Sequence, residues 1–231
     1  MSKLTIYVAR HGKTIMNTLL RSQGWCDSPL TPEGVKVAEY LGKGLKGIEF
    51  QGVYCSTLRR TLETAKIILE AKGQEDIAIE EKDGFKEACF GAYESHDEVD
   101  FWTKLSLYMQ YVDPYDIDRD LASGKLTYGD INDAIAKIDP WQLAEDWKTI
   151  ETRTQQALRE VAEAELKKGS DNILIVSHAM AIAAMLLSLG GDQLLKGNLL
   201  NASVCKVEYD GANFTVKSMG DMSYVEKGKL A

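Results

Sequence analysis

The sequence predicts an α/β protein, a three-layer α/β/α sandwich with a mostly parallel central sheet and a helical insertion. Three observations carry that expectation. Short β-branched runs alternate with amphipathic helical patterns along most of the chain. Two of the runs, Leu4–Ala9 and Ile173–Val176, read as buried strands. Residues 96–150 break the alternation with several short helical patterns in succession.

The elements follow in order. Residues 4–9 form the first strand. Thr31–Pro32–Glu33 starts a helix: Thr caps, Pro takes the first helical position, and Glu suits the positive end. It runs to about Lys46, with Ala38, Leu41 and Leu45 on one face. Gly52–Cys55 is a short strand. Ser56 or Thr57 caps the next helix, which extends to about Lys72 and buries Leu62, Ala65, Ile68 and Leu69. Ile77–Glu81 is a further strand.

Within residues 96–150 helices are expected over Glu98–Tyr111 and Thr127–Lys137, the second with Thr127 and Asp130 in capping-box spacing. Asp139–Pro140–Trp141–Gln142 resembles a third start, with cap, first-turn Pro and a reaching amide. Trp147, Ile150, Ala157, Leu158 and Val161 recur at helical spacing to about Lys168. A strand at 172–176, a helix at 179–189 and strands Ser203–Tyr209 and Phe214–Ser218 complete the chain. Asp210–Gly211–Ala212–Asn213 joins the last two as a hairpin-type turn.

Composition bounds the function. At 231 residues, with 45% apolar and 27% charged, the chain fits one folded domain, residues 1–231, carrying a cap or insert at about 96–150. A net charge of −8 argues against nucleic acid and anionic lipid. Cys26, Cys55, Cys89 and Cys205 are scattered, with no zinc-type pairing, and read as free thiols of a reducing compartment. Met1–Ser2–Lys3 runs straight into the first strand with no apolar signal core, so the expected location is cytoplasmic. The longest apolar stretch, Ile173–Leu189, reads better as a strand and a short helix than as a membrane span.

Ligands of such sheets gather beyond the carboxyl ends of the strands. Arg10–His11–Gly12–Lys13–Thr14 falls there, with Asn17 as a further donor. Arg59 and Arg60 begin a helix that follows another strand, and Ser177–His178–Ala179 follows a third. Guanidinium forks and helix starts suit phosphate oxygens. Convergence of the three strand ends gathers arginines and two imidazoles in one pocket, a site for a dianionic group. Singly, each item has a bland alternative: His178 as a core histidine, Arg59–Arg60 as a solvated face, Glu87 as a solvated carboxylate.

Taken together, Arg10-His11-Gly12-Lys13-Thr14, Asn17, Gln23–Thr31, Ser56-Thr57-Leu58-Arg59-Arg60-Thr61, Glu63-Thr64-Ala65, Glu87, Gly91, Tyr93-Glu94 and Ser177-His178-Ala179 resemble the histidine phosphatase superfamily, in its phosphoglycerate mutase-like branch. Asn201-Ala202-Ser203 resembles that family's entry to the last strands. The resemblance implies a phosphomonoester hydrolase acting through a phosphohistidine on a small phosphorylated metabolite, with no metal and no cofactor. His11 would be the nucleophile. Arg10, Arg59 and a protonated His178 would bind the phosphoryl oxygens. Asn17 would add a neutral hydrogen bond. Glu87 would serve as general acid and then base. Gln23 and Gly24, with Arg21 and Glu94, would line the rim. Arg60 reads as structural, His96 as a surface or cap residue, and Trp102, Trp141 and Trp147 as packing for the insert.

The alternatives are a cofactor-dependent phosphoglycerate mutase and a catalytically silent binding module on the same fold. Mutases of the family follow the acid with Arg-His-Tyr-Gly, whereas Ala88-Cys89-Phe90-Gly91 follow Glu87 here. Residues 92–100 lack Lys and Arg, and Asp113 to Asp120 hold Arg119 against four aspartates. That acidic rim favours a phosphatase, and the retained His11, Arg10, Arg59, Glu87 and His178 disfavour a silent module. Neither substrate identity nor oligomeric state is legible: the insert packs on a partner subunit, as in a homodimer, or closes over its own pocket.

Overall fold

The computed structural model describes residues 3–113 and 115–231. Met1, Ser2 and Pro114 lie outside the described residues, and with them the reading of the extreme N-terminus. The elements are β1 (Leu4–Arg10), α1 (Ile15–Thr18), α2 (Pro32–Gly44), β2 (Gly52–Cys55), α3 (Arg59–Lys72), β3 (Ile79–Glu81), α4 (Glu98–Tyr108), α5 (Tyr115–Ala122), α6 (Tyr128–Ile138), α7 (Trp147–Lys168), β4 (Asn172–Ser177), α8 (Ala179–Leu186), β5 (Val204–Tyr209), β6 (Phe214–Asp221) and α9 (Ser223–Lys229).

Among the described residues six strands form one sheet in the order β3-β2-β4-β1-β5-β6. The pairings from β3 through β1 are parallel, and β5 and β6 add antiparallel. Strand periodicity explains the three layers. Leu4, Ile6 and Val8 point to one face, where they join Ile173, Ile175 and the helices α7 and α8. Tyr7 and Ala9 point to the other, with Val53, Leu174 and Val176 under α2, α3 and α9. Both faces of β1 and β4 are therefore dry, which accounts for their near-continuous apolar sequence. Each fully buried Ile or Leu there contributes about 1.5–3 kcal/mol.

The parallel order places the carboxyl ends of β1, β2 and β4 side by side. Arg10 pairs with Ser177, and Cys55 with Val176. Helices α4–α6 pack a separate small core of Phe101, Leu105, Ile117, Ile131 and Ile135. The 173–189 stretch resolves into β4, the eight-residue α8 and a 3₁₀ turn, and no helix of the described residues is long and apolar enough to cross a membrane.

Two local expectations need correction. Asp139–Pro140–Trp141–Gln142 does not start a helix. Asp139 instead accepts N–H bonds from Ala92, Trp141, Leu143 and Ala144, which closes a loop, and α7 starts later behind Asp146. Ser56 and Thr57 do not cap α3 either, because Leu58 occupies that position without a side-chain bond.

Helix α9 was not expected, and glycine explains its fit. A Cβ on Gly44 of α2 would lie 1.8 Å from the Tyr224 carbonyl oxygen, and one on Gly228 of α9 would lie 1.7 Å from that of Tyr40. The two backbones touch with no room for a methyl group. Gly44→Ala and Gly228→Ala are each expected to destabilise the protein by about 2 kcal/mol, the cost of overpacking. Urea denaturation checks this, and Gly47→Ala, at an exposed turn, does not serve as a neutral control because its φ of 92° already strains alanine.

Candidate active site

The strand ends deliver their side chains to one place. β1 ends at Arg10, and the chain turns inward at His11, whose N–H donates to the Ser177 carbonyl at 3.0 Å. The His11 carbonyl accepts from Asn201 Nδ2 at 3.0 Å, and the Gly12 N–H donates to Thr64 Oγ1 at 3.0 Å. Backbone on both sides of the ring is thereby fixed. His11 Nδ1 lies 2.7 Å from the Gly12 carbonyl. A carbonyl only accepts, so Nδ1 carries the ring proton and Nε2 keeps its lone pair. Burial, then the Arg60 and Arg10 charges, hold His11 well below the usual imidazole range, against a smaller opposing effect of the Gly12 bond. The ring is 3% exposed.

His178 stands 5.2 Å from His11, centroid to centroid. Arg60 Nε donates to its Nδ1 at 3.1 Å, so the proton sits on Nε2, which donates to Ser56 Oγ at 2.7 Å. Ser56 Oγ also accepts from the Leu58 N–H and lies 2.9 Å from Thr61 Oγ1. Burial, followed by Arg60, His11 and Arg10, keeps His178 neutral. The expected protonated donor is thus a neutral acceptor in this arrangement, because a guanidinium already faces its Nδ1.

Arg60, read from the sequence as structural, is the arginine of this helix that enters the site. It is fully buried, and four of its N–H bonds go to His178 Nδ1, the carbonyls of Gly24 and Cys26, and Asp27 Oδ1. Arg59, favoured from sequence, points away: its side chain is 77% exposed and pairs with Glu63 at 2.7 Å. One residue along a helix is a rotation of about 100°, and that rotation decides which arginine enters the site.

Arg10 donates to the Leu199 carbonyl at 2.5 Å, while its Nε is buried with no hydrogen-bond partner. Glu87, 5% exposed, sits over the start of α8 and accepts the N–H groups of Met180 and Ala181. Burial pushes its carboxyl up, and those bonds with Arg60 restrain the rise.

The remaining sequence candidates are structural in this geometry. Gln23 spends both amide ends, accepting from Thr14 Oγ1 and donating to Ser28 Oγ. Asn17 completes a capping box with Thr14. Gly24 is required by close approach, since a Cβ would lie 2.2 Å from the Ala88 carbonyl oxygen. Glu94 gathers the N–H groups of Gly24, Trp25, Cys26 and Phe90, and Arg21 reaches the Ser95 carbonyl. Among the described residues no group of three or more His, Cys, Asp or Glu is arranged to hold a metal ion.

Comparison with known proteins gives the family. The model of the histidine phosphatase superfamily (branch 1) matches residues 6–222. The chain belongs to that superfamily. A crystal structure of phosphoglycerate mutase from Bacillus anthracis str. Sterne superposes with a TM-score of 0.92 at 37% identity, covering 99% of this chain and 97% of that one. A probable phosphoglycerate mutase of Enterobacter sp. (strain 638) is 27% identical over 98% of this chain and 97% of its own length. A broad-specificity phosphatase of Saccharomyces cerevisiae is 26% identical over 98% of this chain and 90% of its own. The superfamily thus contains relatives bearing both names.

The placement of the two arginines yields a direct check. Arg60→Ala is expected to lower kcat/KM for an aryl phosphate by about a hundredfold or more, the scale of losing a preorganised cation beside developing charge. Arg59→Ala should stay within about twofold, as exposed pairs do little. Equal losses in steady-state assays would contradict the assignment.

Proposed function

We propose that the protein is a cytoplasmic phosphomonoester hydrolase that acts on a small phosphorylated metabolite through a phosphohistidine at His11. One observation carries the reading: a neutral imidazole with a bare Nε2 lies within the field of two guanidiniums, and one of these, Arg10, holds a buried Nε–H without a partner. A phosphoryl oxygen satisfies that donor, and Arg10 and Arg60 supply the charge that a dianion needs.

The chemistry then balances in two steps. His11 Nε2 attacks phosphorus, the bond to the ester oxygen breaks, and that oxygen takes the Glu87 proton. Glu87, now a carboxylate, removes a proton from water. The oxygen attacks the phosphohistidine, the P–N bond breaks, and inorganic phosphate leaves with His11 neutral and Glu87 protonated again. The dianion favours protonation of His178 at Nδ1. That proton replaces an attraction with a repulsion at Arg60 Nε, which frees the Arg60 Nε–H and the new His178 Nδ1–H for phosphoryl oxygens, while His178 Nε2 keeps its bond to Ser56.

Hydrolysis is favoured over mutase activity by the cavity that continues from the site. Its volume is about 560 Å³, and Arg10 is the one cation on its walls among the described residues, against Glu98 and Asp118. A mutase must hold a second phosphate or a carboxylate there, and this wall repels both. The mutase reading keeps the support of the Bacillus anthracis likeness, and interconversion of 2- and 3-phosphoglycerate with a bisphosphate primer tests it. Efficient interconversion would reverse the ranking.

Trapping with labelled substrate should place an acid-labile phosphate on His11, and His11→Ala should abolish turnover. Label elsewhere refutes the mechanism. The pH profile of kcat/KM has a definite sign. Its acidic limb reports His11, whose lowered value puts the loss of activity well below pH 6.5. Its alkaline limb reports Glu87, whose raised value extends the protonated form above the ordinary carboxyl range. Glu87→Gln should cost about 10²–10⁴ in rate on poor leaving groups and remove the alkaline limb.

A further inference from the structure

The cavity beyond Arg10 has a chemistry of its own. Trp102 of α4, Tyr115 of α5, and Tyr128 and Ile131 of α6 wall it, so most of its surface is aromatic or aliphatic. A space of about 560 Å³ exceeds what a three-carbon acid fills and falls within the ordinary range for bulky small molecules.

Its charge is selective. Neighbouring carboxylates of the same segment are already neutralised: Asp100 pairs with Lys104 at 2.9 Å, Asp116 with Arg119 at 2.6 Å, and Asp120 with Lys125 at 2.5 Å. Glu98 and Asp118, the two that line the cavity, have no side-chain hydrogen bond or ion pair among the described residues. Burial already pushes the Glu98 carboxyl up. Arg10 is engaged by the phosphate in the hydrolase proposed above. The rest of the wall then presents two unpaired carboxylates, the half-buried Glu98 and the exposed Asp118, and a charge of opposite sign beside Glu98 interacts more strongly than in water.

We infer that the physiological leaving group is a bulky, mainly apolar or aromatic alcohol bearing a cationic group, with Glu98 and Asp118 as its specificity residues. The inference rests on the phosphatase reading for the word leaving group, and on the cavity alone for the preference.

Three phenyl phosphates with one scaffold test it: the 4-(2-aminoethyl), 4-propyl and 4-(2-carboxyethyl) derivatives. Expected kcat/KM falls in that order, with the ammonium ester ahead of the carboxylate ester by about tenfold or more. In Glu98→Gln and Asp118→Asn that ratio contracts toward one. Calorimetric binding of the same esters to the His11→Ala protein reads the preference without turnover. There, 2-aminoethyl phosphate, which keeps the cation and lacks the ring, should bind about tenfold more weakly than the aromatic ammonium ester. Binding preference without hydrolysis by the wild type overturns the phosphatase reading and leaves the pocket's specificity standing. Hydrolysis with no charge preference, with a preference for the carboxylate, or with a ratio unmoved by both substitutions overturns the inference.

Discussion

The buried guanidinium of Arg60 is the interaction on which the site depends. A fully desolvated charge is costly unless each donor finds an acceptor. Arg60 finds them in two separate pieces of chain: the loop of Gly24, Cys26 and Asp27 after β1, and the ring of His178 after β4. Arg60 itself stands on α3, which follows β2, so one side chain ties the three strand ends into a common floor. Burial, and after it the same charge, holds both imidazoles well below their usual range. Nucleophile and cation are therefore not independent parts. The guanidinium that welcomes a phosphate also keeps the attacking nitrogen unprotonated.

Glu87 is set by a partly buried ion pair. Arg153 of α7 pairs with Glu145 and also donates to the carbonyls of Gly84, Lys86 and Glu87, while Glu145 accepts the Cys89 N–H. The acid-bearing segment is gripped on both sides of Glu87. On the far side, Glu94 holds the loop of Gly24 against Phe90, and Gly24 has no Cβ to obstruct that approach. Removing one member of either pair leaves a charge uncompensated. Rigidity at Glu87 follows from residues that never touch a substrate.

Much of this was legible in the sequence. The buried runs 4–9 and 173–176 specify β1 and β4, and a histidine following each marks the edge where ligands gather. The choice between Arg59 and Arg60 was misread, although the signal was present. Arg60, Thr64, Ile68 and Lys72 recur every four residues beside the buried Ala65, whereas Arg59 aligns with Glu63 and a solvated pair. Helical phase separated them, and motif position alone did not. Asp139–Pro140 misled for the opposite reason. An aspartate before proline satisfies the local rules of a helix cap, but its four N–H partners come from a loop that includes Ala92, which lies far away in sequence. Helix α9 was hidden because its fit depends on two glycines facing a partner backbone, a long-range fact.

The net charge of −8 also changes meaning once the fold is known. Spread over a surface, it would repel any phosphate ester. Arg60 is buried and Arg10 half-buried near the strand ends, where low dielectric strengthens their field, while most acidic groups are paired or solvated. Glu98, half-buried, and Asp118, exposed, both line the cavity that opens past Arg10. A dianion is thus attracted at short range by guanidiniums, and the remainder of the molecule meets carboxylates. Selection by such a pocket acts on the distribution of charge within the ester: negative at the phosphate, neutral along the apolar wall, and positive where the unpaired carboxylates stand.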